Sequence, residues 1–298
     1  MESSRPDPTE LLPTSLAAEV RRLELRTRRS LSADMVGCYR SAFRGSGLTF
    51  ADLRAYAPGD EIKNIHWKAT ARSGKVQVKS YDEERQINVV VAVDLSPSTL
   101  FGKKTNARKA LEFAALIAQL ARTTGDAVGL LLFGDHVVDF IPPKRARTQV
   151  QRVLLALLEA RPLGGTTDVA GALQYLCEHQ RRPALMFVVS DFIAPPFTEE
   201  LRRLAARHDV VCVALRDRLD TELPAAGLVA LKDPESGQTV VLDTSSARVK
   251  RALADSQRLR IEDLSHAVTR VGGALIEVDA DPVGPLARLM QRRSSQRR

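Results

Sequence analysis

The chain has 298 residues, 44% of them hydrophobic and 27% charged, with a formal net charge of +8. That length and apolar content suffice for one large globular domain or two smaller ones, and exclude an extensively disordered chain. The longest apolar stretches, such as Ile87 to Val93, broken only by Asn88, and Ala184 to Val189, fall far short of the roughly 18 residues of a spanning helix; the opening MESSRPDPTELLPTS has neither a basic start nor a long apolar stretch, so no signal peptide or membrane anchor is expected and a cytoplasmic setting is.

Along the chain, Leu16, Val20, Leu23 and Thr27 fall on one helical face of Ser15 to Arg29 with arginines around the rest, predicting an amphipathic helical arm within residues 1–45. Gly45 and Gly47 break the chain, and Leu48 to Gln86 reads as short mixed segments with turns at Pro58-Gly59-Asp60 and Ser73-Gly74 and a strand-like alternation from Lys75 to Tyr81. Val89 to Val93 is then an unbroken apolar run, four of its residues valine, as in a central parallel strand covered on both faces; it stops at Asp94.

From there helix and strand alternate. A helix over Asn106 to Thr124 ends at Gly125, strands follow at Ala127 to Phe133 and Val137 to Ile141, and then a helix at Gln149 to Ala160. A Gly164-Gly165 turn leads to a helix over Asp168 to Gln180, a buried strand ALMFVVS ending at Asp191, a helix at Glu199 to Arg207 and a strand at Val210 to Leu215. Leu228 to Lys232 and Thr239 to Leu242 flank Asp233 to Gly237 as a hairpin. A long helix within Ala247 to Val271, a strand at Ala274 to Val278 and a helix after Pro282 resume the rhythm. The expectation is an α/β fold: a parallel sheet flanked by helices over residues 87–216 and 247–293, a small β-rich lobe from 46–86 and 217–246, the N-terminal helical arm, and a basic tail at 294–298.

Asp94 falls at the carboxyl end of its strand, where open α/β sheets bind ligands. Ser96 and Ser98, at alternate positions beyond it, offer hydroxyl oxygens suited to a hard divalent cation such as magnesium, which tolerates few carboxylates and retains waters. Helix capping alone explains that fragment equally well. Thr166 and Thr167 after the Gly-Gly turn, and Asp191 after a second buried strand, shift the balance, because parallel strands place all these loops on one rim.

The D-x-S-x-S run at Asp94, the threonine before Asp168, and Asp191 after its strand resemble the metal-ion-dependent adhesion site of von Willebrand factor A domains. From about Leu16 to Met290 the chain resembles one branch, the MoxR-associated family, also known as domain of unknown function fifty-eight. The likeness is carried by GLTFADLRAYAPGDEIKNIHWKATARSGKVQVKSYDEERQ, with its Pro58-Gly59-Asp60, Ile65-His66-Trp67 and Ala71-Arg72, and by GDAVGLLLFGD and VVSDF. The resemblance implies a von Willebrand factor A-like fold in which Ser96, Ser98 and Thr167 ligate Mg2+ or Mn2+ directly while Asp94 and Asp191 hold ligated waters. Thr167 is preferred to Thr166 because it directly precedes the Asp168 helix. Pro97 and Thr99 depart from the glycine and methionine frequent in adhesion domains. The implied role is a non-enzymatic adaptor for a MoxR-type AAA+ ATPase, or for a client protein whose acid completes the metal shell.

Two rivals stand beside this reading. A haloacid dehalogenase-like phosphatase would use Asp94 as nucleophile, but it needs a second acid two residues on, where Ser96 stands. Gly102-Lys103-Lys104-Thr105 fails the phosphate-loop pattern. A basic nucleic-acid binder is the other; Arg288, Arg292, Arg293, Arg297 and Arg298 crowd RLMQRRSSQRR, yet aromatics are 5% of the chain, and a frayed, solvated terminus is the plainer reading. Cys38, Cys177 and Cys212 form no metal or CxxC spacing and read as reduced, buried thiols. His66, His136, His179 and His208 read as locally hydrogen-bonded, Asp60, Asp126 and Asp135 as turn or cap residues, and Trp67, the one tryptophan, as a packing anchor for the small lobe.

Overall fold

Side chains alternate across a strand, and the run Val89 to Val93 shows what that parity builds. Val89, Val91 and Val93 enter one apolar cluster, and Val90 and Ala92 enter a second on the opposite face. The computed structural model describes residues 14–43, 47–84, 86–96, 106–161, 165–216, 226–232 and 239–296.

In chain order the elements are α1 (Thr14–Ser30), α2 (Ala33–Ala42), β1 (Gly47–Ala55), a short 3-10 turn (Ile62–Asn64), α3 (Trp67–Ser73), β2 (Gln77–Glu84), β3 (Asn88–Asp94), α4 (Asn106–Thr124), β4 (Ala127–Phe133) and β5 (Val137–Lys144). There follow α5 (Arg147–Glu159), α6 (Val169–His179), β6 (Ala184–Ser190), α7 (Thr198–Ala205), β7 (Asp209–Leu215), β8 (Leu228–Lys232), β9 (Thr239–Asp243), α8 (Ala247–Arg270), β10 (Ala274–Val278) and α9 (Val283–Gln296). The sequence did not mark α2 and α3, which are too short for a clear apolar stripe. Both are fixed by caps: Ser32 Oγ accepts the Met35 N–H at 3.1 Å, and His66 Nδ1 accepts the Ala69 N–H at 3.1 Å.

Six strands form one sheet in the order β10-β7-β6-β3-β4-β5, parallel throughout except for β5, which pairs antiparallel with β4 at the edge. This is the expected α/β architecture of a mostly parallel sheet flanked by helices, doubly wound, with the winding reversing between β3 and β6. Strand β6 repeats the parity of β3: Leu185, Phe187 and Val189 join the first cluster, Met186 and Val188 the second. Helices α4, α5 and α9 supply the first face, and α6, α7 and α8 the second.

Helix α4 is buried almost all round; every residue from Phe113 to Ala118 is at most 1% exposed. The sheet covers one side, and the amphipathic arm covers the other with Val20, Leu23 and Thr27 of α1 facing inward. The two antiparallel pairs, β1 with β2 and β8 with β9, are separate two-stranded sheets, and among the described residues no ladder joins them to each other or to the main sheet. The hairpin turn 233–238 lies outside the described residues.

The chain end differs from the frayed terminus expected of it. Leu286, Leu289 and Met290, spaced as a helical stripe, are buried, and they dock α9 against α2 and β10. Arg293 then pairs with Asp209 at 2.6 Å and lies 5.0 Å over the Phe43 ring. The helix runs to Gln296; Arg297 and Arg298 lie outside the described residues. No described helix is long and apolar enough to cross a membrane.

Candidate metal centre

Parallel pairing puts the carboxyl ends of β3, β4 and β6 on one edge, with Asp94 opposite Phe133 and Val93 opposite Val189. The switch point between β3 and β6 is where a doubly wound sheet opens a crevice for ligands. Asp94 and Asp191 follow the two strands that flank it, and both are buried, at 1% and 4% exposure.

Asp94 is held from two sides. Its Oδ1 accepts the Ser96 N–H at 2.8 Å, and its Oδ2 accepts the Ser190 hydroxyl at 2.6 Å. Burial pushes its carboxyl up to about 6, the hydrogen bonds from Ser190 and Ser96 pull the other way, and the charge of Asp191 adds to the rise. Asp94 is therefore a buried acid whose donors, the Ser96 N–H and the Ser190 hydroxyl, are neutral and whose charged neighbour is a second acid. Asp191 Oδ1 accepts the Ile193 N–H at 3.0 Å, which turns the chain as it leaves β6.

The third segment reaches the same edge through the end of β4. Leu95 N–H donates to the Phe133 carbonyl at 2.7 Å and Asp168 N–H donates to the Gly134 carbonyl at 2.7 Å, so the last residue of β4 and the one after it hold the segments after Asp94 and around Thr167. Asp168 caps α6 by accepting the Gly171 N–H at 2.8 Å. Thr167 is buried, whereas Thr166 is exposed. Gly165 enters this turn at φ +106°, and a Cβ there would lie 2.8 Å from Asp135 Oδ2, so both conformation and space call for glycine. Ser96 is buried at 1% exposure; Ser98, with Pro97 and the 102–105 segment, lies outside the described residues.

Ser190 is the residue that sequence reasoning passed over. As the last residue of β6 it has the parity of Met186 and Val188, as Asp94 has that of Val90 and Ala92, so two adjacent strands deliver a hydroxyl and a carboxylate to the same face. The signal was present in VVSD as a hydroxyl on the strand's inward register. Ser190 also accepts the Phe192 N–H at 2.9 Å. Phe192, at φ +56°, is the one non-glycine with positive φ among the described residues, and its ring stacks on Phe197 at 5.8 Å. Left-handed backbone at a large side chain costs about 1–3 kcal/mol and persists where surrounding structure enforces it.

The candidate donors among the described residues, Asp94, Ser96, Thr167, Ser190 and Asp191, are carboxylates and hydroxyls. No group of three or more His, Cys, Asp and Glu gathers among the described residues, so no nitrogen- and sulfur-rich cage of the kind zinc favours is built from them. The set fits a hard, oxygen-seeking cation that keeps part of its water shell, as Mg2+ or Mn2+ does.

Other residues singled out in the sequence sort themselves by contact. Asp126 accepts the Ile87 N–H at 2.9 Å and the Thr124 hydroxyl at 2.5 Å, Asp60 accepts the Ala57 N–H at 2.9 Å and pairs with Arg54, and His179 and His136 have the local partners expected. Two expectations fail. Trp67 is 66% exposed and anchors no core, because α3 turns it outward; Ile62, in the preceding 3-10 turn, is 71% exposed. His208 is buried at 6% exposure, yet neither ring nitrogen has a hydrogen-bond partner among the described residues. The cysteines are free; only Cys212 is buried, and Cys38 and Cys177 are half-buried.

The chain is similar to known proteins over most of its length. An uncharacterized protein of Mycobacterium tuberculosis is 28% identical over 271 residues, covering 89% of this chain and 85% of that protein. Among solved structures, an aerotolerance-related membrane protein of Bacteroides fragilis covers 70% of this chain and 99% of its own at 14% identity and a TM-score of 0.47. Proximal thread matrix protein 1 of the mussel byssus, in a form with a zinc-occupied MIDAS motif, covers 59% of this chain and 47% of its own at 18% identity and a TM-score of 0.37. Residues 52–262 match the family described as protein of unknown function DUF58, and the chain belongs to that family.

Proposed function

We propose that this chain is a non-enzymatic adaptor that binds a protein partner through a divalent cation, Mg2+ or Mn2+, at the carboxyl edge of its sheet. The observation that supports this most is the buried Asp94 carboxylate, held by neutral donors and facing the charge of Asp191. A cation supplies the opposite charge that such a pair lacks. Ser96, Ser98 and Thr167 would hold the ion directly, and Asp94 and Asp191 would hold its waters. When bound, the ion supplies a Lewis-acidic position that a carboxylate from another protein can fill. Ser190 keeps Asp94 oriented, and two acids against a dication leave the site close to neutral, which suits capture of one further acid.

The MoxR-type AAA+ ATPase, with or without a client, is the partner the family resemblance favours, in assembly or maturation work of a chaperone kind. Exposed Trp67 and Ile62 add apolar area of the sort that protein contacts bury. The test is thermal unfolding with and without Mg2+ or Mn2+, followed by binding to the purified AAA+ ATPase in magnesium or in chelator. The cation should raise the melting temperature of the native chain and not of Asp94→Ala, since binding to the folded state alone stabilises it. Equal responses of the two chains would overturn the metal site, and binding indifferent to chelator would overturn the metal-bridged partner.

A further inference from the structure

At the opposite edge of the sheet, where β7 and β10 begin, a cavity of about 860 Å³ opens between the α7–β7 turn, α8 and α9. Three arginines line it, Arg207, Arg292 and Arg293, against a single acid, Asp209. Asp209 is committed to Arg293 at 2.6 Å, so the charge of Arg207 and Arg292 is left over; both are exposed, and neither has an acidic partner among the described residues. Where α8 ends, the Val268 carbonyl accepts the N–H groups of Val271 and Gly273, and the Thr269 carbonyl accepts that of Gly272.

His208 lies in the same wall and is the second, independent observation. Its side chain is buried, and both ring nitrogens lack a partner among the described residues. A buried polar atom left unpaired costs about 1–3 kcal/mol, and here two sit in one ring beside a polar cavity. Burial and the neighbouring Arg207 charge hold the imidazole below its ordinary pKa, so it is neutral and offers one donor and one acceptor. Ser265 and Thr269 of α8 add hydroxyls to the lining.

We infer that this cavity is a binding site for a phosphate-bearing small molecule, with Arg207 and Arg292 gripping the phosphate and His208 hydrogen-bonding the ligand. Guanidinium groups match phosphate oxygens bidentately, and the volume falls within the range of ligand pockets. The site is independent of the Asp94 edge and of the reading given to it.

The probes are inorganic phosphate, pyrophosphate and citrate, each compared with sodium chloride at equal ionic strength, with the melting temperature of the full chain as readout. Pyrophosphate should raise it more than citrate does. Its dissociation constant should weaken at least tenfold in the Arg207→Ala/Arg292→Ala double variant, while Asp94→Ala responds as the native chain does. His208→Phe should lose the response while the ligand-free protein melts no lower, since an apolar ring of similar size removes both unpaired nitrogens. A native chain indifferent to pyrophosphate, a citrate response as large, or a response undiminished in the double arginine variant would each overturn the assignment.

Discussion

Replacing Asp94 by Asn isolates the energetic logic of the candidate metal centre. In the metal-free protein this carboxyl titrates at about 6 instead of its ordinary 3.8, chiefly because it is buried. An acid whose pKa is raised on folding makes the native state bind its proton more tightly, so stability falls as pH climbs from about 4 through 6 and is lowest above that. The difference is worth about 3 kcal/mol at neutral pH and above. Asparagine abolishes it, and surrenders about 1 kcal/mol of hydrogen bonding from Ser190 and the Ser96 N–H.

In chelator at pH 8, Asp94→Asn should therefore be more stable than the native chain by about 2 kcal/mol, and near pH 4 the two should agree within about 1 kcal/mol. Excess Mg2+ should reverse the order, since a ligand at a hundredfold its dissociation constant adds about 2.7 kcal/mol to the native chain and nothing to a variant that cannot hold it. Urea unfolding followed by circular dichroism at pH 4, 6 and 8, in chelator and in magnesium, measures all of these. A variant less stable than the native chain at pH 8 in chelator would refute the burial argument, and a magnesium response retained by the variant would remove Asp94 from the site.

Three further outcomes follow from the geometry. Gly165→Ala forces a Cβ against Asp135 at φ +106° and should cost about 1–3 kcal/mol in thermal unfolding; because the turn carries Thr167, its magnesium stabilisation should shrink as well. Met290→Ala, at a fully buried position of α9, should destabilise by about 2–5 kcal/mol in urea, whereas a frayed terminus would leave the midpoint unmoved. Trp67→Ala should change stability by no more than about 0.5 kcal/mol, because the indole is 66% exposed; a larger loss in the same assay would restore Trp67 as a packing anchor.

Much of this protein is written locally. The apolar run before Asp94, the run before Asp191 and the helix from Asn106 to Thr124 appear in the structure where the sequence put them, because each is set by side-chain period and by a residue that ends it, Gly125 closing the helix at φ +81°. What the sequence left open depends on partners distant along the chain. The arm α1 reads as amphipathic, but that its stripe covers the second side of α4 is decided by packing. The terminal arginines read as solvated, and only the docking of Leu286, Leu289 and Met290 draws Arg293 to Asp209 and Phe43. Ser190 is one more serine until the parallel register of β3 and β6 sets it beside Asp94. His208 has an ordinary place after a helix until the fold buries it with both nitrogens unpaired among the described residues. Period and punctuation therefore fixed the elements and the two acids, while register and burial, which no local segment contains, decided which groups meet and what charge they carry.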